Sequence, residues 1–297
     1  MTNWNTQNIP DLSGKVIIVT GASSGLGKEI ATVLASKNAT VVMAVRNTEK
    51  TQVVVNEIKE ACPKANLDIR KLKLDSLESV KEFAQGILKD YKSLDILINN
   101  AGVMACPFSL TQDGFEIQMG VNHFGHFALT GLLMPLLKST KNSRIVATSS
   151  VAHKNGNMDF EDINWGKRDY KTMQAYSDSK LANLYFTYEL SRRLEGKDNN
   201  PMVVAAHPGV TSTELSRHSL IFRTLIPLFG QKADAGSLPT LRAAFDTEAK
   251  SGDYFGPDGF MEFRGNAVLV KSTPQSYDKA KAGQLWEISE KLTGVTF

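Results

Sequence analysis

Short apolar runs rich in β-branched residues alternate along the chain with longer stretches of helical spacing. Residues 15–20 (KVIIVT) form the first such run, and GASSGLGKEIATVLASK after it changes period, which predicts a buried strand, a glycine turn and a helix. Further strands are predicted at 39–45 (ATVVMAV), within 68–74 (DIRKLKL), at 94–102 (LDILINNAG), at 143–150 (SRIVATSS) and at 202–207 (MVVAAH), with a short seventh from about Asn266 to Val270. Helices are predicted over roughly 49–60, 77–91, 111–137 and 233–245, in the run QAYSDSKLANLYFTYELSRRL and in the tail QSYDKAKAGQLWEISEKLTG. DYFGPDGF at 253–260 reads as turn-rich. Strands alternating with helices predict an α/β chain with a doubly wound, mainly parallel seven-stranded sheet and helices on both faces. No repeat or linker interrupts the pattern, so one domain over 1–297 is expected, with 211–230 as a substrate loop or lid, or as a helix pair packed on the body.

Composition narrows the classes. The 297 residues are 42% hydrophobic and 22% charged, which is ordinary for a folded protein and excludes a disordered or fibrous chain. A net charge of +3 spread along the chain gives no nucleic-acid footprint. Cys62 and Cys106 have no ligand spacing, and neither a signal peptide nor an 18-residue apolar run is present, so a cytoplasmic protein without membrane anchor, disulfide or metal is expected.

Candidate chemistry clusters at strand ends. Gly21, Gly25 and Gly27 give T-G-x-x-x-G-x-G after the first strand: a tight turn, a close approach to a pyrophosphate, and close helix packing, with the helix N-terminus toward phosphate. The second strand ends in Val45 and Arg46, where an NAD site usually has an acid; a cation there favours a 2′-phosphate and NADP, the alternative being a solvated arginine. Thr48 is the expected cap of the next helix, and Asp75 can cap the one after, reach an adenine edge, or do both. Asn99, Asn100, Ala101 and Gly102 end the fourth strand, where amides tie loops together and small residues leave room for a flat ring. Asn122, inside a glycine-loosened apolar helix, either stitches a kinked backbone or positions a water, and nearby His123 and His126 lack metal-ligand spacing. Ser149 and Ser150 stand at the carboxyl end of a central strand, where open α/β sheets bind ligands. Tyr176 and Lys180 are one helical turn apart, a spacing that suits a phenol and an ammonium acting as a proton-transfer unit, or an ordinary surface helix.

TGASSGLG, NNAG, Asn122 in NHFG, Ser150 in SSVAH, YSDSK and HPGVTSTEL stand in the order and strand positions of the short-chain dehydrogenase/reductase family, which the chain resembles over nearly its whole length. It is similar to the retinol dehydrogenase and WW-domain oxidoreductase-like branch, and to bacterial members of it through GPDGF and LWEISEKLTG. The resemblance implies a Rossmann-type fold and NADP(H)-dependent interconversion of an alcohol and an aldehyde or ketone, with NAD(H) use or a non-catalytic NADP-binding scaffold as rivals. It implies that Tyr176 passes the proton, Ser150 bonds the substrate oxygen with Ser149 in reserve, Lys180 bonds the nicotinamide ribose and lowers the Tyr176 pKa, and Asn122 holds a water. For the cofactor it implies Gly21, Ser23, Ser24, Gly25, Leu26 and Gly27 at the pyrophosphate, Arg46 at the 2′-phosphate, Asp75 at adenine, and Asn99, Ala101 and Gly102 around the adenosine ribose. It further implies that Pro208, Gly209 and Val210 back the nicotinamide, with Thr213 near its amide or the phosphates, and that Tyr176 and Lys180 also touch the cofactor. An apolar substrate is expected among 103–108, 151–165 and 211–230, including Phe108, Phe160, Trp165, Leu215, Phe222 and Leu225; a homodimer or homotetramer is implied by the resemblance alone.

Overall fold

A computed structural model describes residues 3–196, 199–211 and 230–297. Most of the expected lid, with Thr213, Leu215, Phe222 and Leu225, lies outside the described residues. The strands are β1 (Val16–Thr20), β2 (Thr40–Val45), β3 (Asn66–Lys71), β4 (Ile96–Asn99), β5 (Arg144–Thr148), β6 (Met202–Ala206), β7 (Tyr254–Pro257) and β8 (Ala267–Leu269). The helices are α1 (Gly25–Ser36), α2 (Thr48–Ala61), α3 (Leu77–Asp90), the short α4 (Ile117–Met119), α5 (Gly125–Ser139), α6 (Thr172–Leu194), α7 (Ala233–Phe245) and α8 (Lys279–Thr293).

The sheet has eight strands in the order β3-β2-β1-β4-β5-β6-β7-β8, all pairs parallel except β7 with β8. The seven-stranded expectation therefore needs correction: the turn-rich stretch at 253–260 contains β7, and the expected seventh strand is β8. Burial explains the strand signals. Ile17 and Val19 of β1 pack into one core with α1 and α7, while Ile18 packs into the other with α3, α5 and α6. The same split separates Ile96 and Ile98 from Leu97 in β4. Strands covered on both faces read as unbroken apolar runs. The order reverses between β1 and β4, and their carboxyl ends open the crevice where doubly wound sheets bind ligands.

Local details refine the reading. Asn47, not Thr48, caps α2 by accepting the Lys50 N–H at 2.9 Å, and Ser76, not Asp75, caps α3. Between α4 and α5 the chain makes a π-helical segment, Gly120–Phe124, closed by the Gly125 N–H donating to Gly120 O. Its glycines serve close approach: a Cβ on Gly120 would meet Thr111 Cγ2 at 2.4 Å, and one on Gly125 would meet Leu74 O at 2.5 Å. The wide turn places Asn122 at the crevice.

Candidate active site

The turn after β1 is built by contact between backbones. Gly21 (φ 70°) and Gly25 (φ 52°) take left-handed conformations. A Cβ on Gly27 would lie 2.2 Å from Gly21 O and 2.7 Å from Asn100 Nδ2, so glycine alone lets α1 close on the turn. Ser24 stands at the N-cap of α1 without a side-chain cap bond, which leaves the first-turn N–H groups directed into the crevice mouth. Arg46 is exposed just past β2 and has no ion pair or side-chain hydrogen bond among the described residues. Asp75 Oδ1 is buried without a hydrogen-bond partner. Of the pair after β4, Asn100 ties the turn by donating to Thr20 O at 2.8 Å, while Asn99 is buried and donates to Thr130 of α5 at 3.0 Å.

The second half of the site hangs on α6, whose residues 175–188 are buried all round. This rules out the ordinary surface helix. Lys180 Nζ donates to Thr148 O at 3.2 Å and lies 5.7 Å from the centre of the Tyr176 ring. Asn183 donates to the same carbonyl at 2.9 Å. Asn122 accepts the Val103 N–H at 2.8 Å and donates to Val103 O and to Ser179 Oγ, each at 2.9 Å. Gly102 lets these groups converge, since a Cβ there would meet Asn122 Oδ1 at 3.1 Å and Lys180 Nζ at 3.5 Å. Alternation along the strand end separates the two serines: Ser149 is buried and donates to Lys180 O at 2.9 Å, whereas half-buried Ser150 contacts the Tyr176 phenol and accepts the Ala152 N–H.

Burial dominates the electrostatics. It pushes the Tyr176 phenol up to about 12, with Ser150 pulling the other way, and brings the Lys180 ammonium down to about 8. In this arrangement burial keeps the phenol protonated at neutral pH. Four expected residues, Asn122, Ser150, Tyr176 and Lys180, are brought together beside the glycine turn. Thr20 and His126 have linking roles that the sequence reading does not assign: Thr20 Oγ1 accepts from the N–H groups of Asn100 and Ala101, each at 2.9 Å, and meets His126 Nε2 at 2.9 Å. His126 Nδ1 donates to Asn122 O at 3.1 Å, so the ring spans the two halves of the site. The signal for His126 was its i+4 spacing from Asn122 on a helix.

A glycine turn on a reversing parallel sheet, with a Tyr, Ser and Lys at its carboxyl edge, defines a nucleotide-dependent oxidoreductase. The chain belongs to the short chain dehydrogenase family, whose pattern it matches over residues 15–221. It is 42% identical to retinol dehydrogenase 13 of Homo sapiens over 295 residues, covering 96% of this chain and 86% of the relative. It is 41% identical to human retinol dehydrogenase 12 over 290 residues, with 96% and 88% covered. Among solved structures, an uncharacterised protein from Mycobacterium paratuberculosis matches with a TM-score of 0.85 at 39% identity, covering 100% of this chain and 99% of the other. A Shigella flexneri short chain dehydrogenase complexed with NADP matches with a TM-score of 0.66 at 27% identity, covering 82% and 97%. The chain is therefore an NAD(P)(H)-dependent oxidoreductase that acts on a small organic substrate by hydride transfer. No described helix is long and apolar enough to cross a membrane.

Proposed function

We propose that the protein is an NADP(H)-dependent carbonyl reductase and alcohol dehydrogenase of the retinol dehydrogenase-like branch, acting on an apolar aldehyde or ketone. The observation that carries this reading is the convergence of Ser150, Tyr176, Lys180 and Asn122 in the crevice beside the glycine turn. The uncapped N–H groups of α1, the unpaired Arg46 and the orphan Asp75 Oδ1 fit the pyrophosphate, 2′-phosphate and adenine of such a dinucleotide. Bound NADPH supplies the hydride. Tyr176, protonated throughout the neutral range, gives its proton to the oxygen that gains charge, and Ser150 donates a hydrogen bond to the same oxygen. Lys180 is mostly charged below pH 8 and stabilises negative charge on the phenol as the proton leaves. Asn122 holds the Val103 loop and Ser179 in place around the lysine.

The retinol dehydrogenases in the relatives' names, the exposed Phe108 edge-on to Tyr170, and Trp165 beside Tyr170 support an apolar substrate. Turnover of all-trans-retinaldehyde and a panel of aromatic aldehydes and ketones with NADPH and with NADH tests the reading. Reduction with NADPH exceeding that with NADH by about tenfold or more is expected; equal or better turnover with NADH contradicts the cofactor assignment, and no turnover of any carbonyl favours a non-catalytic NADP-binding protein.

A further inference from the structure

The turn between β7 and β8 places two consecutive non-glycine residues, Met261 (φ 52°) and Glu262 (φ 59°), in the left-handed region, the one such pair among the described residues. L side chains adopt that conformation reluctantly, and it persists only where the surroundings over-determine it. Here the surroundings are polar. Glu262 Oε1 lies 2.9 Å from Lys154 Nζ, and Oε2 lies 3.1 Å from His207 Nε2. Lys154 belongs to the short helical turn Val151–Asn155, which Ser150 caps, and His207 immediately precedes Pro208, Gly209 and Val210.

The ring of His207 is oriented from its other side. Its Nδ1 accepts the Gly209 N–H at 3.3 Å, so the ring proton sits on Nε2 and faces the carboxylate, although it is not aligned on Oε2. Burial raises the Glu262 carboxyl, but His207 and Lys154 outweigh it and hold the group at about 2, so the charge of the trio's acid is permanent at neutral pH. Glycines make room for the arrangement. A Cβ on Gly256 would fall 2.0 Å from His207 Nε2, and one on Gly209 would fall 2.4 Å from Phe263 O, which accepts the Val210 N–H at 2.8 Å.

We propose that Glu262 is a positioning residue whose carboxylate joins the turn beginning at Ser150 to the loop beginning at Pro208 and so holds the two walls of the cleft in register. The inference rests on the reading that these walls face substrate and cofactor, and it adds to the site a residue from the far edge of the sheet. A glycine suits the backbone at 262 better; the side chain is what reaches both loops.

Hydrogen exchange of the full chain, without substrate or cofactor, tests this directly. In Glu262→Ala and Glu262→Gly, exchange should speed up by about fivefold or more in both 150–156 and 207–210. Glu262→Gln, which keeps one acceptor oxygen, should show less than half that effect. Glycine relieves the backbone strain that alanine keeps, so the Gly variant should be the more stable of the two while its cleft loops exchange equally fast. With all-trans-retinaldehyde, kcat should fall about tenfold in both while the NADPH KM stays within about twofold. Faster exchange confined to 258–265, or wild-type exchange in the Gly variant, overturns the proposal. Wild-type turnover in Tyr176→Phe instead overturns the reading of the site, and leaves the exchange result for Glu262 standing on its own.

Discussion

The turn after β1 and the turn after β7 both pass through the left-handed region, but with opposite residues. After β1 the positions are Gly21 and Gly25; after β7 they are Met261 and Glu262. In the first turn backbone meets backbone: Gly27 sits against Gly21 O, and Gly21 against Ala101, leaving no volume for a side chain. In the second, the strained residue carries a carboxylate that meets Lys154 and His207. One turn is shaped by what must be absent, the other by what a side chain reaches, and substitutions should separate the two.

The largest effect on cofactor binding is expected at the glycine turn. Gly27→Ala puts a methyl 2.2 Å from a backbone oxygen, so the turn must open; NADPH affinity measured by fluorescence should fall by about 100-fold or more, with stability reduced by about 1–3 kcal/mol in urea unfolding. Arg46→Ala comes next. It is exposed and makes no ion pair or side-chain hydrogen bond among the described residues, so folding should be unchanged while the NADPH KM rises by about tenfold and the NADH KM does not move.

The pH dependence follows from Lys180. Its ammonium is charged below about 8 and the Tyr176 phenol stays protonated below about 12, so reductive kcat should hold through neutral pH and fall by about fivefold or more by pH 9.5. The same buried lysine affects stability with a definite sign. The unfolded chain, with an ordinary lysine value of 10.5, binds the proton more tightly than the folded one, so this contribution to stability rises as pH goes from 8 to 10.5. Lys180→Met should remove both trends. At the β7 turn, Met261→Gly relieves strain on an exposed residue and should raise stability by about 0.5 kcal/mol, the smallest change of the set.

Strands β1, β2 and β4 to β6 were legible because burial on both faces leaves a continuous apolar run; β3 (NLDIRK) is half-exposed and mixed, and its signal was read two residues late, within 68–74. β7 was not legible, because Tyr254–Pro257 contains Gly256 and Pro257, residues that read as turn. Gly256 is there for space beside His207, a requirement set by tertiary contact. The π-helical segment was hidden for a similar reason: its glycines looked like a loosened helix, while their function is approach to Thr111 and Leu74. In the site, Tyr176 and Lys180 were visible as a local spacing and Ser150 as a strand end. Thr20, His126 and Glu262 were not, because each acts through a partner about a hundred residues away in sequence, at separations of 106 for Thr20 with His126 and 108 for Glu262 with Lys154.

The proposed chemistry turns on the buried phenol of Tyr176 as the proton donor. Tyr176→Phe removes one oxygen from a well-packed ring and leaves the α6 backbone and Lys180 in place. Single-turnover reduction of all-trans-retinaldehyde by the NADPH-loaded variant should slow by about 10³-fold, with NADPH affinity within about twofold of the parent. Turnover within a few fold of the parent, at unchanged NADPH affinity, contradicts the account.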